Sequence, residues 1–515
     1  MSRYQDARAR QSGQADAPQV RPWAALAVLM LPVLLVAVDN TVLAFAVPSL
    51  SQALQPSGTE LLWIVDIYPL VLAGLLVPMG SLGDRVGRRR ILMIGGTGFA
   101  LVSVAAAFAP SAALLIAARA AMGFFGAMIM PATLSLIRNI FTNPTQRRTA
   151  IAVWAAGFSA GAALGPIVGG FLLEHFWWGS IFLLAVPLLV PLVVLAPVLV
   201  PESRDPCPGP VDPLSAALVL ATMVPLLVAI KAFARDGFSL VTAALLLGAL
   251  LVGVGFVLRQ LRARTPMLDV RLFHDKVFSG SVAANLLSVF SLVGFLFFVS
   301  QHLQLVRGFS PMTAGLLLLP GLVVTVVSGL SVVPLARRVP VGVIVAGGLV
   351  MNAVGYGIVF FAGPAGSDIG LVLAFVCMGG GVGAAETLSN DLILSSVPPE
   401  KAGAASAISE TAYEVGAVLG TAVLGSILAS AYRSTLVLPT GLTPGDALAA
   451  SETLGGAHEV ARRLPADAAQ SLLDSAHAAF DSGVVVTSAI GVVLMLGAAV
   501  MVLRTLPRVV EAPAS

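Results

Sequence analysis

"GSLGDRVGRRR", residues 80–90, gathers five charged side chains in a 515-residue chain that is 57% hydrophobic and only 11% charged. On either side stand the apolar runs 60–79 and 91–109, each near the roughly 20 residues that carry a helix across a hydrocarbon core. A short Arg-rich connection between two such runs stays on the cytoplasmic side. That rule accounts for the arginines but not for Asp84 or the bracketing Gly80 and Gly87. Glycine permits positive φ and lets helices approach closely. An acid at a helix boundary can pair with Arg or with a neighbouring helix N-terminus. Ion pairs at a membrane rim that form in one conformation only act as a latch. Gly80, Asp84, Arg85, Gly87, Arg88 and Arg89 are therefore candidate latch residues.

Working outward, the mean hydropathy of +0.95 and the repeated apolar runs give an all-α polytopic membrane protein, because lipid leaves no partner for unpaired backbone groups. Fourteen spans are expected, near 23–46, 60–79, 91–109, 112–137, 149–172, 179–200, 212–231, 237–257, 276–300, 311–334, 340–362, 368–394, 404–429 and 483–503. With the N-terminus inside, 22 of the 29 Lys and Arg fall on the cytoplasmic side, which places both termini in the cytoplasm of an inner-membrane protein. The first 21 residues are polar and do not resemble a cleaved signal peptide, so the first span is expected to act as the insertion signal. Residues 430–482, outside, are too long for a tight turn. They contain two amphipathic stretches, from Pro444 and from Pro465, and are expected to form an external helical hairpin, either a solvated cap or a part of substrate access.

An internal echo organises these spans. "GAALGPIVGG" (161–170) resembles "GAVLGTAVLG" (416–425), and the basic loop has a weaker counterpart in "PLARRVPVG" (334–342). The expected division is a tail (1–22), a six-helix half (23–200), an inserted two-helix linker (201–275), a second six-helix half (276–503) and a C-terminal tail (504–515). Parallel six-helix repeats suit a rocking transporter with its site between the halves. A net charge of +3 gives no support to nucleic-acid binding. Two Cys and five His without ligand spacing give none to a metal site. No phosphate loop or other enzyme motif is present, so neither catalysis nor ATP drive is expected, and no cofactor is needed beyond a proton gradient.

The Gly80–Arg90 pattern (Gly, three residues, Asp-Arg, one residue, Gly-Arg-Arg) resembles the loop motif of the major facilitator superfamily, where it braces one access state. Gly161, Gly165, Pro166, Gly169 and Gly170 are similar to that family's fifth-helix antiporter signature. Glycines four apart make a smooth strip for close packing, and Pro166 removes a backbone donor. With "WIVDIYPLVLAGLLVPMGSLGDR" (63–85), the chain resembles the EmrB/QacA branch of drug/proton antiporters. Met122 stands where that branch commonly has glutamine. The resemblance implies the major facilitator fold as 6+2+6 helices, with protons and lipophilic cations such as quaternary ammonium compounds as partners, in a monomer.

Ionisable side chains inside spans are functional candidates by default. Asp39, Asp66 and Arg119 fall in the outer half and are expected to cluster, as a working site or as a static salt bridge; Asp66 is near enough to the surface to be simply solvated. Glu410 and Glu414, four apart, share one helix face, rotated away from Gly416 and Gly420. Glu386 lies at similar depth. Crowded carboxylates in a low dielectric hold protons more tightly than in water. An arriving cation would release such a proton, which is antiport by linkage. Trp63, Tyr68, Phe125 and Tyr413 are candidate pocket aromatics for cation–π contact. The expected function is proton-driven export of lipophilic, mainly cationic drugs by alternating access. The alternatives are export of an endogenous metabolite, antibiotic or lipid, and a non-transporting sensor.

Overall fold

The computed structural model describes residues 22–204, 211–264, 266–363, 368–397 and 402–506. Residues 1–21, most of the tail 504–515, and Cys207 lie outside these. The described residues form helices and no strand. In chain order these are α1 (Pro22–Leu54), α2 (Gly58–Val86), α3 (Arg88–Ala107), α4 (Ala112–Ile140), α5 (Pro144–His175), α6 (Ser180–Leu183), α7 (Ala185–Leu199), α8 (Pro213–Asp236) and α9 (Leu240–Arg262). After a 3₁₀ turn follow α10 (Lys276–Gln301), α11 (Pro311–Leu335), α12 (Val341–Ala362), α13 (Asp368–Ser395), α14 (Ala402–Gly420), α15 (Ser426–Thr435), α16 (Pro444–Glu452), α17 (Leu454–Ala461) and α18 (Ala466–Thr505). Thirteen stretches among the described residues are long and apolar enough to cross a membrane, α6–α7 and α14–α15 each counting as one. The 32-residue α5 stands beside them.

Local chemistry sets the helix starts. Ser57 and Glu60 make a reciprocal capping box at α2, satisfying two backbone donors. Asp212, Ser310 and Thr443 cap α8, α11 and α16, each with Pro at the first turn, where its missing N–H costs nothing.

Two expectations change here. Residues 80–86 belong to α2, so the loop at 80–90 shrinks to one residue, Gly87, at φ 123° and ψ 128°. The helix runs on through Gly80 and Gly83 because glycine only weakens a helix and no proline follows Pro78 before Arg90. The second amphipathic stretch of residues 430–482 is not separate from the last span. Ala466–Thr505 is one 40-residue helix, continuous because no proline interrupts an alanine-rich sequence with high helix propensity. The first stretch does start at Pro444, and α16 and α17 fold over the end of the bundle.

Buried apolar side chains group into two large clusters. One is built from residues between Ala25 and Val200, the other mainly from residues beyond Ala284. In each, the fifth long helix packs on the first through glycine. A Cβ at Gly161 would lie 2.7 Å from the Ala37 Cβ of α1, and one at Gly165 would run into Thr41. In the second cluster, Cβ atoms at Gly416 and Gly420 would run into the Leu286 carbonyl and come within 2.5 Å of the Phe290 carbonyl of α10. The repeated glycine sequence thus makes the same contact twice. Helices α8 and α9 pack on each other and lie at the periphery, α8 touching α2 and α15.

Cross-contacts between the clusters gather at the end carrying α16 and α17. Thr453 and Ser51 hydroxyls are 2.9 Å apart, and the Glu452 carboxylate accepts the Gly58 N–H at 2.8 Å. Ser300 donates to the Ala44 carbonyl at 2.6 Å. Gly170 backs onto Met312 of α11, 2.7 Å from a would-be Cβ to Met312 Cα.

Candidate functional site

Helix α1 contains two internal prolines, Pro32 and Pro48, and between them carries Asp39 and Asn40. Arg119 of α4 reaches it, donating from Nη1 to Asp39 Oδ2 at 2.8 Å and Oδ1 at 3.1 Å. Arg119 Nε donates to the Ile64 carbonyl at 3.3 Å, and the guanidinium lies 4.5 Å from the centre of the Tyr68 ring. Both charged side chains are buried, 2% and 8% exposed. Guanidinium is the group suited to such a place: it keeps its charge and its flat face stacks on an aromatic ring. Tyr68 is fully buried, braced edge-on by Phe99, so it positions the arginine. Phe125 packs into the space left by Gly98 of α3.

Asp66 does not join this pair. The expected cluster of three separates, because Asp66 lies two helical turns from the α2 start and faces the peripheral α8. Its Oδ2 is 2.8 Å from Lys231 Nζ, with the two side chains 0% and 2% exposed. A solvated Asp66 is excluded by that burial. Lys231, counted in sequence with the outer loops because it ends an apolar run, is instead interior. Its ammonium also lies 3.8 Å from the centre of the Trp63 ring.

The acids of α14 have different surroundings. Glu414 is 5% exposed and faces Asp39 and Glu410, with Asn40 beside it. Its Oε2, like Asn40 Nδ2, has no hydrogen-bond partner. Glu410, one turn away, lies within electrostatic reach of Arg138 of α4. Glu386 on α13 and Glu414 flank Tyr413, whose ring meets Phe158 of α5 edge-on at 6.1 Å. Among the described residues no Lys or Arg comes within ion-pair distance of Glu386, Glu410 or Glu414. Asp391 is exposed.

Sequence reading missed the amide and hydroxyl groups that accompany these acids. Asn285 donates to the Ser409 hydroxyl at 3.0 Å, and Ser409 also bonds Asn390. Asn within an apolar run was the available signal.

Among the latch residues, Asp84, Arg88 and Arg89 make bonds within the first half. Asp84 pairs with Arg88 at 2.8 Å across the Gly87 turn. The Glu202 carboxylate accepts the Arg89 N–H at 3.0 Å and sits against Gly87, 2.8 Å from where a Cβ would be. Arg89 also donates to the Pro197 and Val200 carbonyls. Glu202, an acid at the N-terminus of α3 where the dipole favours it, was not among the residues selected from sequence. Arg85 is exposed on α2.

The chain resembles known proteins in sequence and in fold. Residues 29–421 match the Major Facilitator Superfamily. The chain is 57% identical over 482 residues to the multidrug efflux pump LfrA of Mycolicibacterium smegmatis, covering 94% of this chain and 96% of that one. It is 39% identical over 482 residues to the methyl viologen resistance protein SmvA of Salmonella typhimurium, covering 92% and 97%. Among solved structures, a bacterial homologue of the human lysosomal transporter Spinster, inward-facing and occupied, superposes with a TM-score of 0.65 at 17% identity over 97% of this chain and 100% of that one.

Proposed function

This chain belongs to the Major Facilitator Superfamily, and we propose that it is a proton-coupled antiporter exporting lipophilic, mainly cationic drugs. Export of drugs is supported by the efflux and resistance proteins it resembles over nearly its whole length. Cationic substrates are supported by the methyl viologen relative, methyl viologen being a permanently charged bipyridinium. The observation that carries proton coupling is Glu414, buried on α14 opposite Asp39, with half-buried Glu410 one turn away and, among the described residues, no cation at ion-pair distance from either.

The physical argument is short. A buried carboxylate without a partner costs far more as an anion than as an acid, so such a site holds a proton until another cation takes its place. A lipophilic cation entering between α1 and α14 finds Asp39 already neutralised by Arg119. It interacts with Glu414 and Glu410, and the proton leaves. Differential binding of proton and drug to the two access states then couples their movements. Glycine contacts at Gly161, Gly165 and Gly169 hold α5 against α1, while Pro166 and Gly170 meet α11 across the interface, so α5 is the element about which the halves rock. In this reading the Gly87 end is cytoplasmic, the α16–α17 end is outside and closed, and Asp84, Arg88 and Glu202 hold the cytoplasmic rim of one half together.

The test is ethidium efflux from proteoliposomes with and without an imposed proton gradient. Gradient-driven efflux that disappears in Glu414→Gln, with the protein still in the membrane, supports the reading. Efflux unchanged by the gradient, or by both Glu414→Gln and Asp39→Asn, contradicts it.

A further inference from the structure

Besides Arg119, Lys231 is the only Lys or Arg buried among the described residues, and the two cations are held very differently. Arg119 is fixed by both oxygens of Asp39, by the Ile64 carbonyl and by the Tyr68 face. Lys231 has a 2.8 Å approach to Asp66 Oδ2 and the Trp63 ring at 3.8 Å. An ammonium carries three N–H groups, yet neither Nζ nor either Asp66 oxygen makes a well-aligned hydrogen bond with any group. The surroundings are apolar: the buried residues Leu70, Leu227, Val418 and Ala422 pack together, with Trp63, Ile67 and Ile230, the neighbours of the pair in sequence, against them. They come from α2, α8, α14 and the π-turn that follows it, so the site lies where one half, the other half and the inserted helices meet.

A carboxylate beside an aromatic face in an apolar cage is receptor chemistry for a lipophilic cation. Here the protein's own ammonium occupies that receptor. Lys231 also has a way out: it lies five residues before the end of α8 at Asp236, and a long aliphatic stem lets the charged head withdraw toward a helix end.

We infer that Asp66 and Trp63 form a second cation site, and that Lys231 is a tethered cation filling it until a lipophilic monocation displaces it. This rests on the exporter reading and gives the inserted helices a role in it. Cationic compounds compete with Lys231 for the site, and neutral ones do not.

The chain contains three lysines, 231, 276 and 401, so displacement is measurable on the wild-type protein. Purified full-length protein is treated with an amine-acylating reagent, with and without saturating tetraphenylphosphonium, and modification is read by peptide mass spectrometry. Acylation of Lys231 is expected to rise several-fold with the probe, while exposed Lys276 is unchanged. As a companion, Lys231→Met should bind tetraphenylphosphonium about tenfold more tightly, the gain from removing a competitor that fills roughly nine-tenths of the sites. Adding Asp66→Asn should abolish that gain. Equal protection of Lys231 with and without bound probe overturns the inference, as does a folded Lys231→Met that binds no more tightly than wild type. If Lys231→Met does not fold, the labelling result alone decides. Wild-type protein that binds no tetraphenylphosphonium contradicts the exporter reading as well; binding with Lys231 still protected contradicts only the tethered cation.

Discussion

The two halves repeat one backbone contact and differ in how they treat charge. In the first half, α5 packs on α1 through Gly161 and Gly165; in the second, α14 packs on α10 through Gly416 and Gly420. Around the first contact each buried acid has its own cation, Asp39 with Arg119 and Asp66 with Lys231. Around the second, Glu386, Glu410 and Glu414 have amide, hydroxyl and aromatic neighbours instead. Equivalent scaffolds therefore carry a compensated half and an uncompensated one. In the proposed mechanism the Asp39–Arg119 pair holds helices in register, Asp66 exchanges Lys231 for a lipophilic cation, and the uncompensated acids exchange protons for one.

The sharpest way to break that contrast is to neutralise one acid in each half. Glu414→Gln should bring gradient-driven ethidium efflux down to that of empty liposomes. The same variant should leave thermal unfolding in detergent almost unchanged, because a neutral amide replaces a carboxyl group that already holds its proton. Asp39→Asn should do the opposite to stability, since it strands Arg119; breaking a buried pair from one side costs about 3–5 kcal/mol. Asp39→Asn combined with Arg119→Met should recover most of that loss. An Asp39→Asn protein as stable as wild type would remove the distinction between the halves.

The glycine contacts offer a smaller, structural test. Gly165→Ala meets the Thr41 side chain, and Gly416→Ala meets the backbone carbonyl of Leu286. Overpacking of this kind costs about 1–3 kcal/mol. Thr41→Ala should rescue much of the loss at Gly165, while no side-chain change can rescue Gly416. Thermal unfolding of the single and double variants measures both.

The smallest effect is expected at the α16–α17 end. His458 and His477 face each other, Nε2 to Nε2, at 3.1 Å, an arrangement that requires at least one neutral ring. Burial, with His477 and then Arg462 adding to it, holds His458 down to about 4 from the usual 6.5. The unfolded segment therefore takes up a proton first as pH falls. The contribution of this contact to stability is full above about pH 6.5 and declines toward pH 4. Comparing thermal unfolding at pH 7 and pH 5 should show a decline that His458→Gln reduces.

Much of this was legible in the sequence because it depends on local pattern. Apolar runs near 20 residues, capped by Ser, Asp or Thr with Pro, specify membrane helices wherever they occur. The glycine spacing at 161–170 and its copy at 416–425 identify the helix faces that pack closely. Acids inside apolar runs stand out as well, but their grouping does not: Asp39 was expected with Asp66 and Arg119, and the fold sets it beside Arg119 and Glu414 instead. What sequence could not supply was partnership between distant helices. Lys231 ends an apolar run, where a snorkelling lysine and a buried one look alike, and only the placement of α8 beside α2 decides between them. Glu202 follows a span and reads as a loop acid until α3 begins beside it. The turn at Gly87 was overestimated for a related reason: charge density marks a membrane rim, not a break in the helix.

The most direct measurement of the central claim is proton release on drug binding. Tetraphenylphosphonium is added to purified protein in weakly buffered detergent solution, and the pH change is read with an indicator dye. The account predicts release in wild type that is lost in the Glu410→Gln, Glu414→Gln double variant. It also predicts that release survives in Asp39→Asn combined with Arg119→Met. Release unchanged by loss of both glutamates, or abolished only by loss of Asp39 and Arg119, would place coupling in the compensated half and contradict the account.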